Sequence, residues 1–248
     1  MYNISKKHIH IDKVDSTNNY LKQLVIDNNI DNGFVVSTNF QTKGRGEYKN
    51  KWESNNGENL LFSIYLKTDF LKINNAFMLS KTISLGIIDY LNSINKHTSF
   101  KIKWPNDIYF KNKKIAGILI ENSIKGDKIN HSIVGIGINI NQQIFNTDLN
   151  NPISLKTIFN THFNTSDTLK QILKQINIRY KELINKDFYK IDYCYFKELF
   201  RNDNFYNYKL DNTIFSAKII DVKQDGQILL RNKQNKIMSF YFKEIVFL

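Results

Sequence analysis

The chain has 248 residues, 42% of them hydrophobic and 13% aromatic, with a net charge of +12. That composition excludes a disordered chain, and the length allows a main domain plus a smaller one. The single cysteine, Cys194, excludes an internal disulfide or a cysteine zinc cluster, and no run of about 18 apolar residues is available to cross a membrane. No secretory leader is visible after Met1, so a reducing, cytoplasmic setting is expected. The positive balance favours anionic partners. Its lysines are scattered rather than gathered in one block, which favours nucleotides over nucleic acid.

Residues from Ile9 to Val14 alternate as a strand does. Asp15-Ser16-Thr17-Asn18 then reads as a helix start, because a short polar side chain can satisfy orphan N–H groups. The helix it opens would bury Leu21, Leu24 and Val25. Val35–Asn39 and Leu60–Leu66 read as strands flanking a glycine loop. Ala76, Leu79, Ile83, Ile87 and Leu91 fall at helical spacing. Phe100–Trp104 is a short strand stopped by Pro105, and Ile115–Glu121 and Ile133–Ile140 are apolar runs of strand length. Leu169, Ile172, Leu173, Ile176, Tyr180, Leu183 and Ile184 predict a second long helix. Cys194 is expected as a packing residue just before a shorter helical patch with Phe196, Leu199 and Phe200.

The texture changes near Arg201. Asn207–Leu210, Thr213–Val222, Gln227–Leu230 and Met238–Phe242 are short β-type runs, with Asp225-Gly226 as a hairpin turn. The expected fold class is α+β: a mixed β-sheet domain with packed helices over 1–200, then a small β-barrel over 201–248.

Five segments carry the chemistry. The first is Gln41-Thr42-Lys43-Gly44-Arg45-Gly46-Glu47-Tyr48-Lys49-Asn50-Lys51-Trp52. Its glycines free backbone N–H groups, its arginine can fork onto a carboxylate or phosphate, and its tryptophan offers a stacking face. The others are Asp15-Ser16-Thr17-Asn18, Lys103-Trp104-Pro105-Asn106-Asp107, Lys114-Ile115-Ala116-Gly117-Ile118-Leu119 and Gly135-Ile136-Gly137-Ile138-Asn139. Singly, each also reads as a cap, a turn or a packed strand.

In this order and spacing they resemble the biotin protein ligase family, from the Ser-Thr-Asn segment through the Gly-Ile-Asn segment and more faintly to the C-terminus. The lysine–tryptophan–proline segment followed by Lys114 to Leu119 is the specific part. The resemblance implies an enzyme that activates biotin with ATP as biotinyl-5'-AMP. It would then pass the biotinyl group to a lysine of a biotin carboxyl-carrier domain. Mg²⁺ would accompany ATP, bridging phosphates and waters without an all-protein cage. By the same resemblance, Ser16, Thr17 and Gln41 would bind the ureido ring, and Gly44, Arg45 and Gly46 would face the biotin carboxyl and the phosphate. Trp52 would pack on adenine, Asn106 would contact the nucleotide, and Lys114 would meet the reacting carboxylate and α-phosphate, assisted by Lys103. Gly117 would let the backbone approach biotin, and Gly135, Gly137 and Asn139 would line the tail and nucleotide site. The terminal block would be an SH3-like cap.

Two departures stand out. Where the family's loop commonly has a second arginine and a third glycine, this chain has Glu47 and Lys49. Either Glu47 faces solvent, or Lys49 and Lys51 offset it. Only 14 residues precede Asp15, too few for a DNA-binding helix-turn-helix, so no specific DNA partner is expected. The alternatives are a lipoate or octanoate ligase or transferase of related fold, and a basic nucleic-acid-binding protein. The second would need clustered basic residues among exposed aromatics.

Overall fold

The computed structural model describes residues 4, 7–27, 30–47, 50–146 and 151–248. Strand β1 (His8–Val14) leads through helix α1 (Thr17–Asp27) to β2 (Val35–Gln41), and the two strands pair in parallel with His8 opposite Val35. A parallel pair requires a crossover, which α1 provides. Then follow β3 (Leu60–Lys67), α2 (Phe77–Ile94), β4 (Phe100–Lys103), β5 (Asp107–Phe110), β6 (Lys113–Lys125) and β7 (Lys128–Ile138). The spatial order is β1-β2-β3-β7-β6-β5-β4, and every pair after the first is antiparallel. This is the mixed sheet expected from the sequence.

Strand alternation sends successive residues to opposite faces. Val35, Phe62, Ile64, Val134, Ile136 and Ile138 enter one core with residues of α2 and of α4 (Thr165–Ile184). Their neighbours Val36, Tyr65 and Ile133 join Leu21 of α1 in a smaller core. Leu24 and Val25 pack at its edge, half-buried.

Three elements differ from the sequence reading. After the expected turn at 104–106 the chain makes a further strand, β5, and a short helix α3 (Leu155–Phe159) precedes α4. Ser154 caps α3, its Oγ accepting from the Thr157 N–H. The late helix is α5 (Phe188–Lys197); it contains Cys194 and stops before Leu199. Leu199 and Phe200 leave the helix because the Ile102 N–H donates to the Glu198 carbonyl at 2.8 Å and the Phe200 N–H to the Ile102 carbonyl at 2.8 Å. Those residues extend the edge of β4 instead.

The C-terminal residues form β8 (Tyr206–Leu210), β9 (Thr213–Val222), β10 (Ile228–Asn232), β11 (Ile237–Phe240) and β12 (Val246–Phe247). Their order is β11-β10-β9-β8-β12, all antiparallel, in keeping with an SH3-like module. Gly226 takes a positive φ in the predicted β9–β10 turn. Tyr208, Ala217, Ile219, Ile228 and Leu230 belong to the main core, so the two sheets share one interior. Lys81 of α2 is 1% exposed at this junction. Its Nζ lies 2.6 Å from Asp192 Oδ1 of α5, donates to the Val222 carbonyl of β9, and stands 5.4 Å from the Tyr195 ring centroid. Burial pulls the Lys81 pKa down, and Asp192 opposes that.

Candidate active site

Strand register builds the floor of a cavity of about 370 Å³. Gly137 lies opposite both Leu61 and Gly117, and Gly135 lies opposite Ser63 and Leu119. With a period of two, Gly135 and Gly137 share one face while Val134, Ile136 and Ile138 fill the core behind. Glycine is required at two of these positions. A Cβ on Gly135 would overlap the Asn18 side chain, and one on Gly137 would overlap the Trp52 indole.

One end of the cavity is a closed polar web. Gln41 Oε1 accepts from the Thr17 N–H at 2.8 Å and from Thr17 Oγ1 at 3.1 Å. Ser63 Oγ donates to Asn18 Oδ1 at 2.6 Å and lies 2.7 Å from Thr17 Oγ1. Asn18 Nδ2 donates to Glu121 Oε2 at 2.8 Å. Arg45 joins from the loop, its Nη2 2.9 Å from Glu121 Oε1 and its Nη1 donating to Asn19 Oδ1 at 2.6 Å.

The other end is charged. Lys114 Nζ lies 2.6 Å from Asp107 Oδ1 and 5.7 Å from the Trp52 ring centroid. Lys103 Nζ donates to Tyr109 Oη at 3.1 Å and sits 5.7 Å from the Phe247 ring centroid. Asn106 Nδ2 donates to the Ile118 carbonyl at 2.7 Å, clamping the segment to the floor. Phe242 and Lys243 of the β11–β12 connection, with Phe247 of β12, close this end. Trp104 ties that wall down, its Nε1 donating to the Gly226 carbonyl at 2.9 Å.

The two ends of the loop meet, the Trp52 N–H donating to the Gly44 carbonyl at 3.1 Å and Arg45 bridging to Lys51. The Trp52 indole lies across Gly117 and Gly137. Trp52 Nε1 and Glu47 Oε2 are buried with no hydrogen-bond partner among the described residues.

Ser16, Thr17, Gln41, Arg45, Gly46, Trp52, Lys103, Asn106, Lys114, Gly117, Gly135 and Gly137 therefore line one cavity, although five separate segments supply them. Two expected residues stand elsewhere. Gly44 lines a neighbouring depression with Gln41 and Trp52. Asn139 is buried behind the floor, its Nδ2 donating to the Ile153 carbonyl at 3.2 Å and its N–H to the Ile115 carbonyl at 2.9 Å. Sequence reasoning missed Ser63, Glu121 and the wall from the second sheet. Asp107 was in view inside its motif but had no role assigned.

A model of the biotin/lipoate A/B protein ligase family matches residues 11–139. The chain belongs to that family. The ligase is 26% identical over 240 residues to the bifunctional ligase/repressor BirA of Bacillus spizizenii, covering 96% of this chain and 73% of that one. It is 34% identical over 123 residues to biotin–protein ligase 2 of Arabidopsis thaliana, across 48% of this chain and 36% of the relative. Among solved structures, it is similar to the Aquifex aeolicus biotin protein ligase in complex with biotin and ATP. That match has a TM-score of 0.80 and 27% identity, over 97% of this chain and 98% of the other.

Electrostatics set the loop of the ligase apart. Glu47 points into the cavity, so the solvent-facing alternative is corrected. Burial holds its pKa up at about 7, with Asp107 adding to the rise and Lys114 and Lys243 opposing it. The expected offsetting cations were Lys49 and Lys51; Lys49 lies outside the described residues, and the cations the Glu47 carboxylate feels are Lys114 and Lys243. Burial also lowers the Lys103 pKa, while Asp107 opposes that, and burial raises Tyr109 to about 12.

Proposed function

We propose that the ligase joins biotin to ATP as biotinyl-5'-AMP and then transfers the biotinyl group to a specific lysine of a biotin carboxyl-carrier domain. One observation carries this reading: a single cavity has a hydrogen-bonding end, a side-chain-free floor and a cationic end, in that order. Ser16, Thr17 and Gln41 would hold the ureido ring. The glycines at 117, 135 and 137 would lie under the bicycle and tail. Arg45 and Lys114 would sit at the carboxylate and α-phosphate.

The chemistry asks for such an end. The biotin carboxylate attacks the α-phosphorus, pyrophosphate leaves, and two anions must first be held together despite their repulsion. Fixed cations and N–H donors lower that barrier most where negative charge develops. Gly46, Lys103, Asn106 and, from behind the floor, Asn139 would serve the nucleotide side. Trp52 would move from the floor to the adenine as the loop closes, a stacking contact on the order of 1–3 kcal/mol. Closure also keeps water from a reactive anhydride. ATP enters as its magnesium complex. The cation would ride on phosphates and waters.

No described helix is long and apolar enough to cross a membrane. We assign the ligase to the cytoplasm, where ATP and carrier domains meet. The test is mass spectrometry of a carrier domain incubated with the protein, ATP, Mg²⁺ and biotin. One added biotinyl mass on one lysine is expected. Addition of lipoate or octanoate instead, with none of biotin, would favour the related transferases.

A further inference from the structure

We propose that Glu47 accepts the proton that the acceptor lysine must lose before it attacks the adenylate. The inference rests on the transfer reaction proposed above. A lysine side chain near pH 7.4 is an uncharged amine only about one time in a thousand, so a base next to the reacting carbonyl has work to do. Two carboxylates line the charged end of the cavity, Asp107 and Glu47. Asp107 is already engaged, 2.6 Å from Lys114 Nζ. Glu47 is not: its Oε2 is buried with no partner among the described residues. A buried carboxylate oxygen without a donor is costly, and an incoming ammonium is the donor it lacks.

The surroundings tune it for that role. Asp107 of β5 and burial favour the protonated form, while Lys114 of β6 and Lys243 of the β11–β12 connection favour the carboxylate. Arg45 and Lys51 of its own loop and Lys103 of β4 also line this cavity. The balance leaves the carboxyl titrating at about 7, where a general base is most effective at neutral pH. In the step itself, Glu47 takes one proton from the ammonium. The freed lone pair forms the C–N bond to the acyl carbon. The bond from that carbon to the phosphate oxygen breaks, and AMP leaves with its electron pair. The second N–H proton goes to the departing phosphate, and Glu47 later returns its proton to water.

The test separates the two half-reactions in wild type, Glu47→Gln and Glu47→Asp. Pyrophosphate release reports adenylation. Transfer from preformed adenylate is followed to a carrier domain and, separately, to hydroxylamine, which is already uncharged at neutral pH. In Glu47→Gln, carrier transfer should fall about a hundredfold relative to any change in adenylation and hydroxylamine capture. Wild-type transfer should rise with pH and level off above about 7, whereas the Gln variant should keep rising with the free-amine fraction. Glu47→Asp should recover part of the rate and the plateau. A Gln variant with the wild-type rate and profile overturns the proposal. So do equal losses in carrier transfer, adenylation and hydroxylamine capture, which would make Glu47 a loop-positioning residue. If wild type forms no adenylate from biotin, the functional reading itself fails, and this inference with it.

Discussion

The two ends of the cavity are built on opposite plans. At the Ser16–Thr17–Gln41 end, Thr17, Asn18, Ser63 and Glu121 satisfy one another, and Ser16, Thr17, Asn18 and Ser63 are each at most 3% exposed. At the loop end, Glu47 Oε2 and Trp52 Nε1 are buried and unpartnered among the described residues. The first end is preorganised, so a ligand meets donors and acceptors already in place. The second is incomplete until something enters. Recognition and reaction are thereby divided between a fixed half and a half that must rearrange.

The largest effect should come from the reacting end. Lys114→Ala should cut adenylation about 10²–10³-fold while leaving the fold intact, since it removes a fixed charge where negative charge develops. Pyrophosphate release with matched thermal melts checks it, and wild-type rates would break the proposed assignment.

Next is the fixed end. Gly135→Ala puts a methyl group into the Asn18 side chain, which Ser63 and Glu121 hold from two sides. Biotin affinity should fall at least about tenfold, roughly 1.4 kcal/mol, because the web cannot yield without losing hydrogen bonds. An unchanged Kd by calorimetry would mean that this end is as adaptable as the other.

A smaller effect is expected from Glu47→Arg, which should slow biotinyl-AMP release by about tenfold at most. Exchanging a like for an opposite charge beside the phosphate is worth a few kcal/mol only without solvent screening. Release at wild-type speed in matched salt would remove Glu47 from the phosphate's surroundings.

The smallest effect concerns stability against pH. The folded-state pKa of Glu47 lies above that of the unfolded chain, so ionisation costs folded stability as pH rises from about 4.5 through about 7. Glu47→Gln should therefore melt slightly higher than wild type at pH 8 and equally at pH 4. The gain is small because the loop can swing the carboxylate into water. A variant that melts lower at pH 8 would contradict the sign.

Periodicity made much of the frame legible. The apolar runs Leu60–Leu66 and Ile133–Ile140 read as strands and the spacing from Leu169 to Ile184 as a helix, and the fold has all three. What stayed hidden is non-local. Ser63 sits in the apolar run of β3, and only its register opposite Gly135 makes it a site residue. Glu121 becomes a hub only when α1 and the loop fold over β6. The helix α5 was displaced in the reading because Leu199 and Phe200 look helical in isolation, yet β4 offers them a better partner. The raised pKa of Glu47 comes from burial and from Asp107, against Lys114 and Lys243, which no local pattern connects.

Lys81 sets a rule of inheritance for this molecule. Its ammonium is shared by a helix of the large sheet, the Asp192 carboxylate and a carbonyl of the small sheet. A chimera joined near residue 200, with a terminal module from a relative, would keep the buried cation and replace the strand that helps hold it. The Lys81–Asp192 pair would persist, but a buried charged donor left without the Val222 carbonyl costs about 1–3 kcal/mol, a sizeable share of a domain's stability. The small sheet thus travels with α2 and α5 as one heritable unit, and a working exchange between relatives must carry Lys81, Asp192 and the end of β9 together.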